Sequence, residues 1–171
     1  MTPDKDAPVE TVWAGKYISV LKRGRWEYVS RTGSINAVVI LAEHDGKVIL
    51  IEQYRVPVGG RCLELPAGLV GDEDEHATVE ETAVKELEEE TGFTCERVER
   101  LGEFHSSPGM VAESFTLVRA HGIRKIGDGG GNDHEDITVH LVAREDIPAF
   151  IQSRRDAGSA VDVKLLLFLD Y

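Results

Sequence analysis

The sequence predicts a mixed α+β domain. Paired runs of β-branched and aromatic residues are separated by short turn signals, as in antiparallel strands. One segment, Thr78–Thr91, has the composition and end signals of a helix, and the chain closes on two apolar-patterned helical segments. With 171 residues, 42% of them hydrophobic, the chain is one domain's length around a single core.

The first ten residues read as a loose tail. Thr11–Leu21 and Trp26–Ser30 alternate around the turn Lys22–Arg25, which predicts a hairpin. Ser34–Ala42 and Lys47–Tyr54 form a second strand pair, joined through the Asp45-Gly46 turn signal. Glu64–Gly68 is a short extended piece ending in a Pro/Gly loop. In Thr78–Thr91, Thr78 is the N-cap, Glu81 completes a capping box and Gly92 is the stop. Strands are expected at Arg97–Phe104, Ser114–Ala120 and Asp136–Ala143, a mobile glycine-rich loop at Ile126–His134, and helices at Glu145–Arg155 and Ala160–Tyr171.

The formal charge is −12. Nucleic acids and anionic membranes are recognised by basic surfaces, so neither is an expected partner. Residues 72–90 hold ten acids (Asp72, Glu73, Asp74, Glu75, Glu80, Glu81, Glu86, Glu88, Glu89, Glu90) against one base, Lys85. The acidity therefore belongs mainly to one segment. Cys62 and Cys95 form no CxxC pair and read as free thiols in a reducing cytosol. MTPDKDAPVE has neither a basic n-region nor an apolar run, and no stretch approaches the length of a membrane span. The expectation is a soluble cytoplasmic protein.

On an ideal wheel with Val79 at 0°, Ala83, Leu87 and Val84 centre an apolar face near ~60°. Glu90 then projects at about 20° and Glu86 at about −20°, on the edge of that face, with Glu89 farther out near about −80°. Glu81 and Glu88 point to solvent, while Glu80 falls in the apolar arc without evident purpose. Like charges buried side by side need a cation or a proton. An all-oxygen set at i, i+3 and i+4 suits Mg²⁺ or Mn²⁺ better than zinc. The wheel alone leaves open a solubilising acidic face.

The string Lys85-Glu86-Leu87-Glu88-Glu89-Glu90-Thr91-Gly92-Phe93 resembles the second half of the Nudix box, R-E-U-x-E-E-x-G-U, and ELPAG (Glu64–Gly68) ahead of an acidic loop resembles its start. Gln53-Tyr54-Arg55, Ser107-Pro108-Gly109, Glu113 and Glu135-Asp136-Ile137-Thr138-Val139 are similar to marks of the ADP-ribose pyrophosphatase branch. The resemblance covers residues 11–171. It implies an α/β Nudix fold, an α/β/α sandwich with mixed sheet. It divides the chain into a tail with dimerisation strands (1–32) and a hydrolase domain (33–171), assembled as a homodimer.

The implied metal ligands are Glu86, Glu89, Glu90 and the carbonyl of Ala67, holding Mg²⁺ or Mn²⁺. The implied substrate contacts are Arg55, which neutralises phosphate, with Glu113 and Ser107. The implied catalytic residues are Lys85, Glu89 and Glu135, with Glu135 the first choice for general base and Glu113 and Glu89 the other candidates. The expected reaction is hydrolysis of ADP-ribose or a related nucleoside diphosphate sugar. Other Nudix specificities (GDP-mannose, a dinucleoside polyphosphate, a damaged nucleotide) and a silent ADP-ribose-binding sensor are the alternatives.

Two departures stand out. Lys85 replaces the family's usual arginine, and sixteen residues separate Gly68 from Lys85, more than the family spacing. Taking Gly71 as the first glycine restores the spacing but puts Ala77 at the loop acid. Gly68 with an insertion is preferred, and the acid that supports Lys85 stays open among Asp72–Glu75. No EF-hand, P-loop, HExxH or G-x-S-x-G motif survives inspection.

Overall fold

A computed structural model describes residues 4–32, 36–72, 74–132 and 135–169. Strands β1 (Val9–Ala14), β2 (Ile18–Arg23) and β3 (Trp26–Arg31) form an antiparallel sheet of their own. The expected hairpin is therefore a three-stranded meander. Thr11–Leu21 does not run through, because Gly15 turns the chain: its N–H bonds Ile18 O at 2.8 Å, and any Cβ there would strike the Trp13 ring at 2.4 Å. β3 is tied to the rest of the chain by Val29, which donates to Met110 O and accepts from Ala112 N. The 32/33 boundary abuts residues 33–35, outside the described residues.

β4 (Asn36–Leu41), β5 (Glu43–His44), β6 (Lys47–Arg55), β7 (Gly60–Glu64) and β8 (Ala67–Val70) follow. The predicted second pair is thus extended by β7, which the sequence reading missed, and ELPAG is divided between β7 and β8 at Leu65-Pro66. After helix α1 (Val79–Thr91) come β9 (Phe93–Thr94), β10 (Arg97–His105), β11 (Ser114–His121), β12 (Arg124–Lys125) and β13 (Thr138–Ala143). A 3₁₀ turn then leads into α2 (Ile147–Asp156), and β14 (Ala160–Val161) precedes a second 3₁₀ stretch, Val163–Phe168.

The expected final helix is absent over the described part of 160–171. Val161 pairs in parallel with Leu63, and the Asp162 carboxylate accepts from Lys164 N at 2.7 Å, breaking the chain before the apolar run. Residues 170–171 lie outside the described residues.

The mixed sheets run β10-β11-β4-β8 and β13-β6-β7-β14, with β11–β4 and β14–β7 parallel. Val38–Ala42 is buried throughout, because its alternate faces serve two clusters. Val38 and Ile40 pack with Ala83, Leu87 and Phe93 around α1, whereas Val39 and Leu41 pack with Leu63, Ile147, Ile151 and Leu165. Helical layers therefore flank the sheets on both sides, the expected α/β/α sandwich.

The glycine-rich loop, expected to be mobile, is docked over its described residues against the end of α1. Gly130 N and Gly131 N donate to Glu90 O (2.9 Å) and Glu89 O (3.0 Å), and Ile126 N and Gly127 N donate to Gly92 O. A Cβ at Gly129 would lie 2.3 Å from the Thr91 carbonyl carbon, so glycine permits this close approach to the helix end. Asp133 and His134 lie outside the described residues.

Candidate active site

Helix α1 starts where the sequence reading put it. Thr78 Oγ1 accepts from Glu81 N at 3.2 Å and the Glu81 carboxylate accepts from Thr78 N at 2.9 Å, while Gly92 closes the helix at φ 73°. Its buried face is Thr82, Ala83, Leu87, Glu90 and Thr91. Glu90 is only 3% exposed, Glu86 is half-buried, and Glu81 and Glu89 are exposed. Glu80 does have a purpose: Arg100 on β10 grips it with two hydrogen bonds of 2.6 and 2.8 Å.

The inner carboxylates open on a cleft of about 1220 Å³. Glu90 Oε2 accepts from Ala67 N at 3.0 Å. Burial pushes the Glu90 carboxyl up to about 8, with the charges of Glu86 and Glu135 adding to the rise and the Ala67 N–H and Arg55 opposing it. Glu86 lies against Gly68 so closely that a Cβ there would come 2.0 Å from its Oε1. β8 and α1 meet at that point because residue 68 has no side chain. Gly71, the alternative first glycine, has no such contact.

Arg55, at the end of β6, lines the cleft while donating two hydrogen bonds, 2.7 and 2.8 Å, to the buried Glu64. Those bonds raise its guanidinium further, so it stays cationic. Glu113 also lines the cleft, paired with Arg31 from β3. Glu64 and Arg31 were both missed by the sequence reading. Glu64 stands inside the ELPAG string that signalled it, but Arg31 is separated from Glu113 by 82 positions and carried no local mark. Lys85 Nζ lies 3.6 Å from Glu89 Oε1. Asp72 and Asp74 line the cleft, Glu75 does not, and Glu73 lies outside the described residues.

Ser107 does not line the cleft; Ser106 does. The Ser107 carbonyl instead accepts from Met110 N and Val111 N, closing the SPG turn. Of the two serines, only Ser106 is placed on the cleft wall, so the position expected for Ser107 is occupied by its neighbour. Glu135 lines the cleft at the far end of the docked loop. Its N–H donates to Asn132 O (3.0 Å), its Oε2 accepts from Asn132 N (3.1 Å), and a Cβ on Gly131 would meet that oxygen at 2.7 Å.

Among the described residues no three His, Cys, Asp or Glu side chains already converge as a metal cluster. The donor set nevertheless suits a hard divalent cation: a buried Glu90 with a raised pKa beside Glu86, both all-oxygen. Carboxylates that repel one another are relieved either by a proton, as the raised Glu90 shows, or by a cation that joins them.

A NUDIX domain model matches residues 33–160. The chain belongs to the Nudix hydrolase family. Along 95% of its length it is 32% identical to a methanol dehydrogenase activator of Bacillus methanolicus and 28% identical to an ADP-ribose pyrophosphatase of Bacillus subtilis (strain 168), covering 92% of each. It is 31% identical to a GDP-mannose pyrophosphatase of Yersinia pestis (strain Pestoides F) over 81% of the chain and 70% of that protein. A solved ADP compounds hydrolase shares the fold, with TM-score 0.71 and 22% identity over 94% of this chain and 89% of that one. The Nudix assignment covers the acidic segment, where the helical wheel alone left either a solvated face or a cation site. No described helix is long and apolar enough to cross a membrane.

Proposed function

We propose that this Nudix hydrolase cleaves the pyrophosphate bond of ADP-ribose or a related nucleoside diphosphate sugar, giving a nucleoside monophosphate and a sugar phosphate. The observation that carries the reading is the pairing of Glu86 and the buried Glu90 against Gly68 and Ala67, inside a cleft that also presents Arg55. At about 1220 Å³ the cleft exceeds the usual small-ligand range of about 300–1,000 Å³, which suits a substrate with two bulky ends. Relatives named ADP-ribose pyrophosphatase and GDP-mannose pyrophosphatase favour the same substrate class.

Glu86, Glu89, Glu90 and the Ala67 carbonyl would hold Mg²⁺ or Mn²⁺. When bound, such a cation supplies positive charge to phosphoryl oxygens and acidifies water. Arg55 binds the diphosphate, held in place by Glu64. Glu113, fixed by Arg31, and Ser106 line the substrate's path. Lys85 offsets the charge of Glu89 and steadies it. Proton transfer from the attacking water falls to the carboxylate oxygen of Glu135, which lines the cleft on a different segment from the helix carboxylates, while Glu113, the other off-helix candidate, is paired with Arg31. Residues 1–32 pack across a homodimer, for which the exposed Val12, Trp13 and Trp26 supply apolar surface.

The test is a panel of nucleotide sugars with Mg²⁺, with products separated by chromatography. The proposal expects ADP-ribose or a close relative to yield a nucleoside monophosphate and a sugar phosphate. Binding without turnover of any member would assign the chain to the sensor class. Preference for GDP-mannose would keep the chemistry and change the specificity.

A further inference from the structure

Arg61, on β7, does not line the cleft, yet its guanidinium is almost fully engaged. Nη1 donates to Asp136 Oδ2 at 3.0 Å, and Nη2 donates to Thr138 Oγ1 at 2.9 Å, to Asp136 O at 3.4 Å and to Glu52 O at 2.7 Å. Thr138 and Glu52 form the first rung of the β13–β6 ladder. Arg61 therefore reaches across β6 and clasps the chain at Asp136, one residue beyond Glu135, and at Thr138, where β13 begins. Its support is buried: Glu52 is 2% exposed, and its carboxylate is held by Arg154 (2.8 and 3.0 Å) and Ser159.

We propose that Arg61 is a positioning residue for Glu135. The Glu135 segment has two anchors. On one side, Gly130 and Gly131 tie it to the end of α1. On the other, Arg61 fixes a main-chain and a side-chain oxygen of Asp136 and the hydroxyl of Thr138. A planar fork with five donors holds several separated acceptors of one segment at once, a span that the compact ammonium of lysine or the two-donor amide of glutamine does not reproduce. The role rests on the general-base reading of Glu135 given above. Ile137 is separately held, buried and donating to Gly130 O, so loss of the clasp loosens the carboxylate without undoing the strand.

The experiment measures kcat and KM for ADP-ribose with saturating Mg²⁺ in Arg61→Gln, Glu135→Gln and the double variant. Misplacing a catalytic group by an ångström costs on the order of 10²-fold, so Arg61→Gln is expected to lower kcat by roughly 10–100-fold. KM should move by less than about 3-fold, because the group acts on the chemical step. In the Glu135→Gln background the same change should cost less than about 2-fold, since the positioned group is already gone. Should Arg61→Gln fail to fold, Asp136→Ala removes one clasped oxygen from a side chain that is 85% exposed, and the same pattern is expected with a smaller drop in kcat. Wild-type kcat in the clasp variants, or an undiminished loss in the Glu135→Gln background, overturns the proposal while leaving Glu135 as base. Near-normal turnover in Glu135→Gln alone overturns the general-base reading itself, and the positioning role with it.

Discussion

Replacing Gly68 by alanine tests the site with a single methyl group. That methyl would sit 2.0 Å from Glu86 Oε1, 2.1 Å from Cδ and 2.2 Å from Cγ, where ordinary contact begins at 3.4 Å. The carboxyl must therefore retreat by about 1.4 Å, and displacements of this size at a reacting centre cost on the order of 10²-fold. A 100-fold loss in kcat/KM corresponds to about 2.7 kcal/mol of transition-state stabilisation. The atoms met, from Cγ outward, all belong to the Glu86 side chain and none to backbone, so the expected response is a swing of that side chain with the fold retained. Gly→Ala in an element offsets part of any strain by about 0.5–1 kcal/mol, and Tm should stay within about 4 °C of the parent. The assay is nucleoside monophosphate release across a Mg²⁺ series, beside a thermal melt. The expected result is a kcat/KM lower by about 100-fold and a higher Mg²⁺ requirement in a protein that melts normally. Unchanged kcat/KM and Mg²⁺ dependence would show that the position of Glu86 against Gly68 has no bearing on activity.

Glu90 has a folded-state pKa of about 8 against an ordinary 4.5, so between those values the metal-free folded chain holds a proton that the unfolded chain has released. Stability in chelator should therefore fall as pH rises from about 5 to 8, and Glu90→Gln should flatten that slope in a pH series of melts. Mg²⁺ should stabilise the parent more at pH 8 than at pH 6, because binding requires the ionised carboxylate; a pH-independent Mg²⁺ effect would contradict this. Glu135→Gln should lower kcat by roughly 10²–10⁴-fold with calorimetric substrate binding retained. Collapse in Glu89→Gln or Glu113→Gln with normal turnover in Glu135→Gln would move the base. Deleting residues 1–32 should give monomers or insoluble protein and remove Arg31 from Glu113. Light scattering that finds the full chain monomeric at micromolar concentration would contradict the dimer.

What the sequence showed and what it hid divide along the range of the interactions. Helix α1 was legible to the residue because its caps are local, Thr78 with Glu81 and Gly92 with Glu88 O. The inward turn of Glu90 was legible because it follows from helical period. Glu80 looked purposeless because its partner Arg100 lies on another element, and Arg31 went unseen because Glu113 is remote in the chain. The docking of the glycine run was hidden for a related reason. Its composition reports freedom, but Gly129–Gly131 use that freedom to approach the α1 terminus, a contact that exists only in the folded chain. The terminal run Leu165–Leu169 has helical character, yet pairing of Ala160–Val161 with β7 fixes the chain as a strand just before it.

The central claim, cation-dependent hydrolysis at the pyrophosphate, is tested most directly by ³¹P NMR of ADP-ribose incubated with the protein and Mg²⁺. The account predicts that the two pyrophosphate resonances are replaced by two phosphomonoester resonances, of AMP and ribose 5-phosphate. Excess chelator should stop the conversion, and Glu90→Gln should slow it by on the order of 10²-fold or more. Conversion that proceeds unchanged in chelator, or in Glu90→Gln, would contradict it.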